Sequence, residues 1–171
     1  MKRLISVTVV ALTACAGTGI NTQEIAMDTQ FMQTLATLTQ LDLFDRAAVE
    51  RELHAPLQAY EQITIPPSVA YRSTDAAMAP FIEAKYETRN NQGWAALTLW
   101  LDDVRCYSSG MIDDKYGFLS SKFELVNTAQ EKRGIEVAHS YPGHKNKLFI
   151  GYRKTAAGSY CVKNIEISAE R

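Results

Sequence analysis

Three cysteines, Cys15, Cys106 and Cys161, are the residues of this chain whose type and placing point to chemistry. The other reactive types are sparse. His54, His139 and His144 are too scattered for a metal set, and the last two flank a turn where solvated side chains are expected. Asp102-Asp103 and Asp113-Asp114 are the acidic doublets. The first ends a strand in solvent on this reading. The second sits early in a helix, where negative charge complements the dipole. Neither has a neighbour that would make an acid–base couple. The chain lacks Gly-x-Ser-x-Gly, His-Glu-x-x-His, a phosphate loop and Cys-x-x-Cys. The expectation is a protein with no cofactor and no metal, and not an enzyme.

The first fifteen residues say where such a protein works. Lys2 and Arg3 are followed by a mostly apolar run, Leu4 to Leu12, too short to span a bilayer, and then by Thr13-Ala14-Cys15. That is the layout of a secretory leader. Leu12-Thr13-Ala14-Cys15 resembles the bacterial lipobox. The resemblance implies cleavage before Cys15, lipidation of Cys15 and, with Ala16 following, sorting to the periplasmic face of the outer membrane. Removing Lys2 and Arg3 with the leader leaves 16 basic against 19 acidic residues. There is no basic stripe, so a nucleic-acid partner is not expected. With Cys15 lipidated, Cys106 and Cys161 remain as a pair in an oxidising compartment, where disulfides persist. On this division 1–14 is the leader, 15–27 a lipidated tether and 28–171 one domain.

The elements that position these residues read as a repeat. In the first unit (28–103), an opening helix from Asp28 places Phe31, Leu35 and Leu38 on one face. Asp45 then caps a second helix, with Phe44 and Val49 as its hydrophobic staple. Sixty-three positions on, in the second unit (104–171), Ser108 is the cap, Tyr107 and Ile112 are the staple, and Gly117 closes the helix. The final hairpins, Tyr86 to Leu101 and Tyr152 to Ile167, match at an offset of sixty-six. The expected fold is α+β: two tandem units of helix plus antiparallel sheet, with the helices on one sheet face. Strands are expected at 57–65, 80–88 and 94–102, and at 121–127, 135–139, 148–153 and 160–168. Pro66-Pro67-Ser68 and Arg72-Ser73-Thr74-Asp75 are read as breaks.

Strand alternation then sorts the faces. Ala95, Leu97, Leu99, Leu101, Cys161, Ile165 and Ile167 are expected toward the helices. Trp94, Thr98, Trp100, Tyr160, Val162, Asn164 and Glu166 are expected on the other face, with Glu83, Lys85, Glu87, Phe149 and Arg153. That face is rich in Trp, Tyr, Phe and Arg, the composition of an interface. Trp94, Trp100, Tyr160, Phe149, Arg153 and Glu166 are the candidate partner-binding residues.

A helix followed by a small antiparallel sheet, used twice, resembles the secreted β-lactamase inhibitor family, whose single-unit relative is a small lipoprotein of the outer-membrane barrel-assembly machine. The lipobox and the closing strand Cys161-Val162-Lys163-Asn164-Ile165-Glu166-Ile167 also resemble small periplasmic immunity lipoproteins. These resemblances imply a lipid-anchored protein that binds another protein, either to inhibit a delivered toxin or as a subunit of an envelope assembly complex.

Overall fold

The computed structural model describes residues 22–60, 68–89, 92–117, 122–124, 126–141 and 145–171. Cys15, the leader and most of the tether lie outside them. Four helices, α1 (Thr22–Leu38), α2 (Arg46–Leu53), α3 (Ser109–Tyr116) and α4 (Thr128–Lys132), accompany eight strands: β1 (Gln58–Ala59), β2 (Val69–Ser73), β3 (Phe81–Arg89), β4 (Trp94–Leu101), β5 (Lys122–Glu124), β6 (Val137–Tyr141), β7 (Lys147–Lys154) and β8 (Tyr160–Glu170). They form one antiparallel sheet in the order β1-β2-β3-β4-β8-β7-β6-β5. Each unit is therefore a short helix followed by four strands in sequential order, and the last strands of the two units, β4 and β8, pair at the centre. The starts of α2 and α3 are sixty-three positions apart, and those of β3/β7 and β4/β8 are sixty-six apart. The internal repeat read from the sequence is thus a repeat of structure.

The helix ends form as their caps dictate. The Asp45 carboxylate accepts from the Ala48 N–H, and the Ser108 hydroxyl from the Met111 N–H. Val49 and Ile112, one from each staple, are fully buried. Phe31, Leu35, Leu38, Ala95, Leu97, Leu99, Ile165 and Ile167 join them in one core between α1–α3 and the sheet. Burial of this continuous apolar face is the main force holding helices to sheet.

Four expectations need correction. Helix α1 starts at Thr22, not at Asp28, so the end of the presumed tether is helical, with Ile25 and Met27 exposed. The stretch after Pro66-Pro67-Ser68 forms β2, which takes in Arg72 and Ser73 of the second expected break and pairs with β3 from Val69↔Thr88 to Ser73↔Ala84. Its Val-Ala-Tyr-Arg-Ser alternation is short but sufficient once Tyr71 packs beside Tyr86, with ring centroids 6.0 Å apart. Asn127 ends no strand; it starts α4. There the Asn127 carboxamide oxygen accepts from the Gln130 N–H and the Gln130 oxygen from the Asn127 N–H, both at 3.0 Å, a reciprocal capping box.

The fourth correction is a bulge. Along β7 and β8, Gly151 pairs with Asn164 but Tyr152 with Val162, so Lys163 is an extra residue. An extra residue inverts the alternation beyond it. Val162 accordingly packs in the helix-side core with Tyr152, and Tyr160 shares its side of the strand. Cys161 turns to the opposite face, in register with Arg153, rather than toward the core.

Candidate functional site

The disulfide is formed. Cys106 and Cys161 are joined with their Cα atoms 4.9 Å apart. Strand β4 ends at Leu101, and beyond it the segment around Tyr107 takes its place beside β8. There Ser108 bridges Cys161 and the Val162 N–H donates to the Tyr107 carbonyl at 2.9 Å. Tyr107 is buried and stacks on Phe31 at 4.0 Å. The bond therefore pins the approach to α3 onto the start of β8.

Asp103 does not stay simply solvated, and Asp113-Asp114 sit in the second half of α3, whose first turn holds no acidic residue, so the expected complement to the N-terminal dipole is not formed. The Asp103 carboxylate takes the Lys163 ammonium and, at 2.8 Å, the Arg153 guanidinium. The Lys163 hydrogen bond holds its pKa below the ordinary carboxylate value. Asp113 accepts from the Tyr141 hydroxyl at 2.8 Å, and Tyr141 lies 2.6 Å from the Tyr152 hydroxyl. Burial raises both tyrosines' pKa values, so both hydroxyls keep their protons, and the chain from Tyr152 through Tyr141 to Asp113 ties α3 to the sheet. His139 is not a solvated hairpin residue: its ring packs against Tyr141 and Tyr152. His144 lies outside the described residues.

The sheet face away from α1–α3 is the candidate interface, and its six expected residues separate. Trp94 sits at one rim beneath the Arg89 guanidinium, 5.1 Å from the ring centroid. Arg153 is at the other end, held by Asp103. Tyr160 is exposed but, through the bulge, belongs to the helix side. Trp100 is on the expected face, outside the helix-side core, yet only 6 % exposed. The segment after α4 covers it: the Arg133 guanidinium lies 3.4 Å above the ring and is anchored to Glu83 at 2.7 Å. Trp100 is therefore not an open contact residue. The cation–π contact and the ion pair fix it under a short lid.

Phe149 and Glu166 do come together, in register on β7 and β8. They line a recess of about 240 Å³ with Asn127, Gln130, Gly151 and Asn164. Its floor is unusual. Asn164 is 3 % exposed, and its side-chain oxygen has no hydrogen-bond partner. That oxygen lies over Gly151, where a Cβ would meet it at 2.1 Å, so any side chain there must push the carboxamide aside. Glu166 likewise has no hydrogen bond or ion pair among the described residues. Burial, then the neighbouring Glu87, raise its pKa; Lys85 opposes them but pairs with Glu87 at 3.2 Å. The recess thus holds two unmatched acceptors beside an aromatic ring. Asn164 and Glu166 lie on the expected face, but the α4 wall was not anticipated; the Asn127-x-x-Gln130 capping box was the available signal.

A larger groove, about 790 Å³, runs between α1 and α3 past Met32, Ala36 and Met111. Among the described residues no unmatched buried polar atom lines it. Among the described residues no three His, Cys, Asp or Glu side chains group as metal ligands, and no helix is long and apolar enough to cross a membrane.

No family model, curated protein or solved structure matches this chain.

Proposed function

We propose that this chain is an outer-membrane lipoprotein, anchored through Cys15 on the periplasmic side, that binds and inhibits another protein, as an immunity protein against a delivered envelope-targeting toxin. The observation that carries the binding reading is the two-sided sheet. Three helices bury one face into the core, while on the other mixed aromatic and charged side chains stay partly exposed beside a lid of a few residues. Phe149, Trp94 and Glu166 remain its candidate contacts, with Trp100 as support beneath Arg133. The leader, the cysteine after Leu12-Thr13-Ala14 and the Cys106–Cys161 bond support an exported, oxidised setting.

The alternative reading, a subunit of an envelope assembly complex, rests on the same anchor and the same face. Deletion separates them. A strain lacking the protein that is killed only by toxin-bearing kin supports immunity. General sensitivity to detergents and large antibiotics supports assembly. Lipidation has its own test: Cys15→Ser should leave the membrane fraction or remain uncleaved, and an unchanged distribution with undiminished lipid label would refute it.

A further inference from the structure

We propose that the recess bounded by Phe149, Asn164 and Glu166 receives a guanidinium group, the side chain of an arginine presented by the protein partner. This deepens the binding reading of the open face and rests on it. A guanidinium is a planar fork of N–H donors with no acceptor. The recess offers what that fork needs. The Asn164 oxygen is at its floor, unpaired among the described residues although its residue is almost wholly buried, and the Glu166 carboxylate beside it has no bonded cation among them. A buried acceptor left unpaired is costly, so a donor entering the recess removes a penalty the free protein carries.

Phe149 supplies a ring at the wall, and the same face already shows how such a ring is used: the Arg133 guanidinium carbon lies over Trp100, 3.4 Å from the ring centroid. The cations whose side chains are described nearby are committed elsewhere. Lys85 pairs with Glu87, Arg133 with Glu83, and Lys163 and Arg153 with Asp103. A metal ion is the poorer occupant, because one carboxylate and one amide oxygen fall well short of the roughly six to eight oxygens calcium takes. Gly151 is required by the same geometry: a side chain there would displace the Asn164 carboxamide and fill the floor.

The test uses the full-length chain in detergent and N-acetyl-arginine amide as probe, with the isosteric neutral citrulline derivative beside it. Side-chain NMR follows the Asn164 carboxamide and the Glu166 carboxyl carbon. The arginine probe should shift both signals with millimolar affinity, and the Glu166 titration midpoint should fall as the cation is added. Glu166→Gln should weaken binding at least tenfold while melting no lower than wild type. Asn164→Ser and Phe149→Leu, each about threefold or more weaker, guard against a misfolded single variant. Equal binding of arginine and citrulline probes, or no movement of either signal at tens of millimolar, overturns the assignment. Such a failure removes the guanidinium site alone; protection lost through other open-face variants would still support the binding reading.

Discussion

Breaking the Cys106–Cys161 bond gives the prediction whose size follows most directly from the structure. The bond closes a loop of 55 residues, which includes α3, α4 and β5–β7. The chain-entropy relation assigns such a loop about 4 kcal/mol of stabilisation at 25 °C. For a domain of this size about 2–4 °C of melting temperature accompanies each kcal/mol, so Cys106→Ala/Cys161→Ala should melt roughly 8–16 °C below wild type. Noncovalent contacts at the same place keep the fold itself intact: Tyr107 stays stacked on Phe31, and its carbonyl still accepts from Val162. Circular dichroism melts of wild type, reduced wild type and the double variant should give one high value and two equal low ones. Equal melting of oxidised and double-variant protein would show that the unfolded chain is not constrained as argued. A double variant with no folded baseline would show that the bond builds the second unit rather than reinforcing it.

Leu99→Ala should cost about 2–5 kcal/mol, because Leu99 is fully buried on the helix side; Trp100→Ala should cost about 3 kcal/mol for losing its place beneath Arg133, and urea melts of the pair check both. Wild-type stability of Trp100→Ala would place that ring in solvent. Tyr141→Phe should lose about 1–3 kcal/mol by stripping a donor from Asp113 and a partner from Tyr152, measured in the same melts. Asn146→Ala should lose a similar amount, about 1–3 kcal/mol, since its buried amide donates to the Leu41 carbonyl at 3.0 Å in the turn that follows α1. The raised pKa of Glu166 sets a pH signature: the folded state favours the neutral acid, so this group's contribution is full below the ordinary glutamate pKa and is lost as pH rises through the folded value. Stability of Glu166→Gln and wild type should therefore match in mild acid, with the variant the more stable at neutral pH; a variant advantage independent of pH would contradict this.

Local chemistry made much of the fold legible. Asp45 and Ser108 announced their helices because a capping side chain within a few residues decides the outcome, and the starts of β3, β4, β7 and β8 fall within one residue of those read from alternation. The faces of β4 followed from four evenly spaced apolar residues. Features set by distant partners were hidden. The bulge at Lys163 exists in register with β7, so no local pattern in β8 marks it, and it alone moved Tyr160, Cys161 and Val162 to the faces opposite those expected. The covering of Trp100 depends on an arginine 33 positions along the chain, in the other unit, and on Glu83, which anchors it. Gly151 and Asn164 form one feature only because two strands align.

Protection of living cells tests the central claim most directly. In the deletion strain, competed against toxin-bearing kin, wild-type protein should restore survival. A Trp94→Ala/Phe149→Ala variant on the open face should not, although it melts within a few degrees of wild type and reaches the membrane in equal amount. Met111→Ala, in the groove between α1 and α3, should protect fully. Full protection by the open-face variant, with loss through Met111→Ala, would contradict the account by moving the working surface to the helices.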